Sequence, residues 1–207
     1  MSEDQGQSQP ILNIIGERVA LGPLRRDLIP LYARWQNDFF VQRTFGNVPL
    51  PISIEKQTEA FERQATSESY WFTIYEKETL RPIGTTDLFN VDFRMRFCTF
   101  GMMIGEADAR GKGYGTEVAR LMLDYAFTAL GLNNVMLSVS KYNLAGRRAY
   151  EKAGFKEFGR RREADIMGGV AYNEIYMDCI ASEFVPPAKR VLPETGNETR
   201  LKRLAAE

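Results

Sequence analysis

Arg110-Gly111-Lys112-Gly113-Tyr114-Gly115 decides the reading of this chain, because three glycines at alternate positions stand between a strand-like run, Phe97–Ile104, and an amphipathic helical run from Thr116. Glycine at that spacing permits positive φ and close backbone approach, so successive N–H groups can turn toward one anion at a helix start. The stretch is suited to hold a pyrophosphate. Two familiar templates fit it poorly. A dinucleotide fingerprint beginning at Gly111 needs glycine or alanine at 116, where Thr116 stands. A Walker loop needs serine or threonine after Gly-Lys, and Lys112 is followed by Gly113.

Working outward, residues 11–21 read as a first strand, and Pro23 opens a helix to about 37 with Leu24, Leu28, Leu31 and Trp35 at helical spacing. Trp35 reads as core. Ser53 is placed to cap a second helix reaching about 66. Residues 70–75, 83–91 and 97–104 are rich in aromatic and β-branched side chains and predict three antiparallel strands. The helix over 116–130 carries Val118, Leu121, Met122, Tyr125 and Ala129 on one stripe and stops at Gly131. Residues 135–140 predict the next strand and 157–179 a terminal hairpin.

The segment Arg110-x-x-Gly113-x-Gly115, followed by Asn143-x-x-Ala-x-x-x-Tyr150-x-x-x-Gly154-Phe155, resembles the coenzyme A loop and the second cofactor and catalytic segment of the GNAT superfamily of N-acetyltransferases. The similarity spans roughly residues 10–184. It is strongest to the branch of ribosomal-protein N-terminal and spermidine acetyltransferases. The resemblance implies an α/β (α+β) fold, a mixed, mostly antiparallel central sheet with helices on both faces. It implies acetyl-CoA as cosubstrate, a small amine or a protein N-terminal amine as acceptor, and homodimers through sheet edges as an option. Residues 1–9 then form a polar N-terminal extension, 10–184 the catalytic domain, and 185–207 a charged, proline-containing tail.

Composition narrows the chemistry. Lysine plus arginine equal aspartate plus glutamate at 27 each, so no global field favours nucleic acid or an anionic membrane. With no histidine, Ser-His-Asp and Cys-His nucleophile systems and the commonest zinc ligand are excluded, leaving base catalysis to carboxylates, water or backbone. Cys98 and Cys179 read as reduced, buried residues. The polar start Met1 to Gln9 and the lack of a long apolar run predict a cytoplasmic protein with no membrane span. Leu192-Pro193-Glu194-Thr195-Gly196 and Asn197-Glu198-Thr199 match sorting and glycosylation signals by coincidence, and Arg160-Arg161-Arg162 reads as a solvated face beside Glu157, Glu163 and Asp165.

Each demand of acetyl transfer falls to a candidate. Gly111, Lys112, Gly113, Tyr114 and Gly115 offer backbone N–H groups to the pyrophosphate, with Arg110 and Lys112 adding charge. The family strand leaves amides free for pantetheine and the thioester carbonyl, which Met102, Met103 and Ile104 supply here. Asn143 reads as a helix N-cap, and the resemblance makes it a cofactor contact as well. Tyr150, seven residues on, shares its face and takes the family's role of proton donor to the leaving thiolate. Relatives often carry glutamate where Thr99 stands, and threonine is no base at neutral pH. Asp87 on the preceding strand and Glu106 at the loop entrance are then the fallback carboxylates, with a water relay as the alternative to both, and Asp87 is the one placed with Tyr150 in the catalytic set. The aromatic group Tyr70, Trp71, Phe72 and Phe89 reads as half core and half acceptor lining. A non-catalytic acyl-CoA-binding module and a longer acyl donor are the competing readings.

Overall fold

A computed structural model describes residues 9–44, 50–67, 69–188 and 190–191. The polar N-terminal extension through residue 8, Pro49 and the tail motifs at 192–199 lie outside the described residues. The sheet has eight strands in the order β1-β2-β3-β4-β5-β6-β8-β7. These are β1 (Ile14–Ile15), β2 (Val19–Gly22), β3 (Tyr70–Glu76), β4 (Arg81–Asp92), β5 (Phe97–Ile104), β6 (Asn134–Ser140), β7 (Lys156–Met167) and β8 (Val170–Ile180). Every neighbouring pair is antiparallel except β5 and β6. This is the mixed, mostly antiparallel sheet expected from the sequence.

Helices cover both faces. Helix α4 (Tyr114–Asp124) and helix α5 (Leu144–Ala153) bury Val118, Leu121, Met122, Tyr150 and Ala153 against Leu88, Phe100, Leu137 and Met177. On the other face α1 (Ile29–Gln36), α2 (Phe39–Thr44) and α3 (Ile54–Ala65) pack Ile29, Tyr32, Trp35, Val41 and Phe61 around Met103 of β5. Met102 joins the first cluster and Met103 the second, because adjacent strand residues point to opposite faces.

Local differences from the sequence reading have local causes. The expected strand at 11–21 breaks at residues 16–18 and returns as a hairpin. Gly16 allows the break because a Cβ there would stand 2.4 Å from the Glu117 carboxylate. The helix expected from Pro23 begins only at Ile29, after a 3₁₀ turn, with Pro30 in its first turn. Ser53 caps α3 as expected, accepting from the Lys56 amide at 3.2 Å. The helix expected over 116–130 starts two residues earlier and passes into a π segment, Tyr125–Ala129. Cys98 and Cys179 are free and buried. Phe184 packs on Phe127, and beyond it the Val191 amide donates to the buried Asp124 carboxylate at 2.6 Å. Among the described residues no helix is long and apolar enough to cross a membrane.

Candidate active site

The parallel pairing of β5 with β6 lasts only three residues, Phe97↔Asn134, Cys98↔Val135 and Thr99↔Met136. From there β5 stays paired to β4 and β6 to β8, so the two strands part toward their C-terminal ends. The gap opens into a cleft of about 780 Å³. Met102, Met103 and Ile104 form one wall with Arg110, Gly111, Gly113, Tyr114 and Gly115, while Asn143 and Tyr150 stand on the other. Ten of the expected site residues thus meet in one place, and Lys112 and Asp87 are not among the lining residues.

The glycine loop has the geometry its spacing demands. Gly111 and Gly113 take φ of +74° and +82°, a region that side chains resist. Among the described residues the amides of Gly111, Lys112 and Gly113 meet no backbone carbonyl, and the first helical bond of α4 runs from the Glu117 amide to the Gly113 carbonyl at 3.2 Å. The amides of Tyr114, Gly115 and Thr116 are first-turn donors without helical partners. Six consecutive donors at the positive end of α4 therefore lack backbone acceptors among the described residues, and five of them belong to residues that line the cleft. The Arg110 amide is not one of them, because it donates to the Ala107 carbonyl at 3.2 Å.

The side chain of Arg110 also has other work. Its guanidinium donates to the Ile104 carbonyl at 3.1 Å and the Gly105 carbonyl at 2.8 Å, and lies 4.9 Å from the centre of the Phe40 ring. It fixes the end of β5 to the loop and to α2 rather than standing as a free cation. Lys112 presents its carbonyl to Arg18 at 2.8 Å.

Glu117 and Arg18, both missed by sequence reasoning, hold the loop in place. Glu117, in the first turn of α4, accepts from the amides of Glu17 at 2.7 Å, Arg18 at 2.9 Å and Val19 at 3.3 Å, and pairs with the Arg18 guanidinium at 3.3 Å. One carboxylate thus caps the β1–β2 turn against the glycine loop, a contact across about a hundred residues that no local pattern announces. Glu117→Ala leaves those amides without their acceptor, at a cost of about 2 kcal/mol. Thermal unfolding should then fall by roughly 5 °C; an unchanged melting temperature would remove Glu117 from this role.

Asn143 caps α5 by accepting from the Gly146 amide at 2.9 Å, and its Nδ2 donates to the Thr44 carbonyl at 3.0 Å. The Tyr142 hydroxyl donates to the Arg43 carbonyl, so the end of α2 is tied over the cleft from both residues. Tyr150 is 9% exposed and sits edge-on to Phe100 and Phe155. No hydrogen bond among the described residues ends on its phenol, and burial pushes its pKa up to about 12.

Asp87 lies on the opposite face of the sheet from Tyr150. Partners in an antiparallel ladder share a face, which puts Trp71, Asp87 and Gly101 in one row on the side of α1 and α3. Asp87 is 4% exposed, and burial alone raises its pKa to about 7. Its carboxylate fills the space over Gly101, where a Cβ would stand 2.4 Å from Oδ1. Thr99 occupies the same face one pair away, opposite Phe89. Glu106 is committed elsewhere: it accepts from Trp35 Nε1 at 2.8 Å and pairs with Arg34. Of the aromatic group, Phe72 is core and Tyr70 packs on Tyr125, whereas Trp71 and Phe89 lie partly exposed on the Asp87 face. Arg160 and Arg161 pair with Glu157 and Glu174.

A parted sheet, a glycine loop opening a helix and an asparagine-capped helix carrying an inward tyrosine form a recognisable set. A family model described as "Acetyltransferase (GNAT) domain" matches residues 18–156. The chain belongs to the GNAT acetyltransferase family. A relative in Bacillus subtilis (strain 168) named as a probable N-acetyltransferase, YjcK, is 35% identical over 138 residues, covering 64% of this chain and 76% of its own. The spermidine N(1)-acetyltransferase of Escherichia coli (strain K12) is 26% identical over 187 residues, covering 90% and 96%. Among solved structures, the spermidine N-acetyltransferase of Vibrio cholerae in complex with CoA and spermine superimposes with a TM-score of 0.75 at 22% identity, covering 81% of this chain and 98% of that one. The GNAT domain thus includes the cleft from loop to Tyr150, and the shared fold extends over most of the described sheet.

Proposed function

We propose that this protein transfers an acetyl group from acetyl-CoA directly to a primary amine, with no covalent enzyme intermediate. The observation that carries the reading is the cleft in which five residues with unshared loop and helix amides and the unbonded Tyr150 phenol meet at the parting of β5 and β6. The amides take the pyrophosphate. The β5 edge freed beyond Thr99 offers alternate N–H groups to the pantetheine arm and thioester carbonyl, where negative charge grows as the amine attacks.

In that step a C–N bond forms as the C–S bond breaks, the departing thiolate takes the Tyr150 proton, and the nitrogen gives up its own. A phenol near 12 is a weak acid for a thiolate whose thiol is ordinarily near 8.5. Burial lifts both partners, however. A thiolate expelled into the same partly desolvated cleft is raised as well, because burial disfavours its charged form as it does that of the phenol.

Asp87, in this reading, accepts the amine proton from the opposite face, directly or through water. A carboxyl near 7 is matched to that task. The acceptor is a primary amine, either on a small polyamine-like molecule, as the names of relatives suggest, or at a protein N-terminus. Release of free CoA across an amine panel tests the reading. Tight acetyl-CoA binding with no amine-dependent release would establish a binding module instead.

Asp87→Asn gives two opposed results. kcat/KM at pH 8 should fall by about 10²-fold, and the acid limb near pH 7 should disappear. Stability moves the other way. The carboxyl titrates at about 7 when folded against a model value of 3.8, so its stabilising contribution is complete below about 3.8 and is lost as pH rises through 7. The Asp87→Asn variant should therefore gain more in melting temperature over wild type at pH 8 than at pH 5. Unaltered turnover at pH 8 would pass the base role to water.

A further inference from the structure

The charged residues that line the cleft are Arg43, Arg110, Arg148 and Lys152, with no aspartate or glutamate among them. Arg110 is held by the Ile104 and Gly105 carbonyls and lies 3.6 Å from the Asp38 carboxylate. Arg148 and Lys152 stand on α5, which runs beside the glycine loop, since a Cβ on Gly115 would come within 3.9 Å of Ala149 Cβ. Those two cations therefore sit on the side given to the donor. Arg43 is different. It belongs to α2, on the opposite face, where its neighbour Val41 packs in one cluster with Met103. That is the face of Asp87, from which the amine approaches.

The Arg43 guanidinium lies over the Phe40 ring, 4.2 Å from its centre, and no hydrogen bond or ion pair among the described residues ends on it. A guanidinium stacked on a ring keeps its in-plane N–H fork free, the geometry that a carboxylate meets with two parallel hydrogen bonds. Its backbone is fixed as well: the Arg43 carbonyl accepts from the Tyr142 hydroxyl, and the Thr44 carbonyl from Asn143 Nδ2 at 3.0 Å. Asp165 acts on the Tyr142 hydroxyl but does not line the cleft. Two turns of α5, about 10 Å, separate Asn143 from Tyr150. An extended peptide advances about 3.3 to 3.6 Å per residue. With the attacking amine at the thioester beside Tyr150, the side chains of an acceptor's second and third residues come level with Arg43, whereas the carboxylate of a free amino acid stops short of it.

Building on the acetyl-transfer reading above, we infer that Arg43 binds an acidic side chain of the acceptor, so that the enzyme acetylates the N-terminus of a peptide with aspartate or glutamate at its second or third position in preference to a polyamine. A carboxylate there completes the charge-assisted fork that the stacked guanidinium leaves open. A polyamine instead brings a second ammonium toward a cation, in a cleft whose lining offers no carboxylate to receive it.

The test is the rate of CoA release by the full-length protein with saturating acetyl-CoA and four acceptors: spermidine, and three hexapeptides that differ only in carrying glutamate, glutamine or lysine at their second and third positions. Wild type, Arg43→Gln and Arg43→Glu are compared. Wild-type kcat/KM should be about tenfold higher for the glutamate peptide than for the glutamine peptide at low ionic strength, and higher than for spermidine. Arg43→Gln should bring the glutamate and glutamine peptides within about threefold of each other, and Arg43→Glu should prefer the lysine peptide, a reversal that a merely structural role would not produce. Equal wild-type rates on the three peptides, a better rate on spermidine, or a glutamate preference that survives in Arg43→Gln overturns this inference and leaves the acetyl-transfer reading intact. No amine-dependent release with any acceptor overturns the acetyl-transfer reading itself.

Discussion

Tyr150→Phe is expected to lower kcat by about 10²- to 10⁴-fold while leaving the dissociation constant of acetyl-CoA within about twofold. The substitution removes one oxygen from a ring packed between Phe100 and Phe155, and no hydrogen bond among the described residues depends on that oxygen. Packing is preserved, so a loss of rate reports the proton. Because burial holds the phenol near 12, wild-type activity should show no alkaline limb from this group below about pH 10. Steady-state rates and acetyl-CoA titration on both proteins measure the effect. A variant that turns over at the wild-type rate would return Tyr150 to the core.

Gly113→Val should weaken acetyl-CoA binding by more than about 30-fold. The N-cap of α4 sits at φ +82° and ψ 2°, where a β-branched residue is strongly resisted, and a Cβ there would come within 2.9 Å of the Arg18 guanidinium. Either the chain leaves this conformation and the amides turn away, or the side chain stands in the cradle. Gly131→Val is the control. It places the same residue at φ +67° with nothing within 4 Å and away from the cleft lining, so it carries the backbone strain and should keep acetyl-CoA affinity. Equal loss in both variants would assign the effect to folding; full affinity in a folded Gly113→Val protein would remove the loop from pyrophosphate binding.

Much of the cleft was legible because its parts are local. The alternating glycines require positive φ wherever they fold, Asn143 caps whatever helix follows it, and Tyr150 lies two turns on along the same face. The hairpin at the N-terminus, the short α2 and the early start of α4 were not, because each depends on a partner distant in sequence. The first hairpin turns where Glu117 supplies acceptors, and α2 is placed by Arg110, Tyr142 and Asn143. The hold of Arg110 on the Ile104 and Gly105 carbonyls was not legible for the same reason, since those carbonyls are exposed only by the way β5 ends.

The amino-acid sequence alone determined the conformation of the glycine loop, the strand and helix periods and the exclusion of histidine chemistry, because dihedral preference, side-chain period and composition are properties of short segments or of the chain as a whole. Only tertiary structure decided which carboxylate is buried and unpaired and which is held in an ion pair. Glu106 and Asp87 look alike as residues, but one accepts from Trp35 and pairs with Arg34, while the other is buried over Gly101 and raised to about 7. Desolvation and charge pairing depend on what surrounds a group in space, and that is set when the strands find their register.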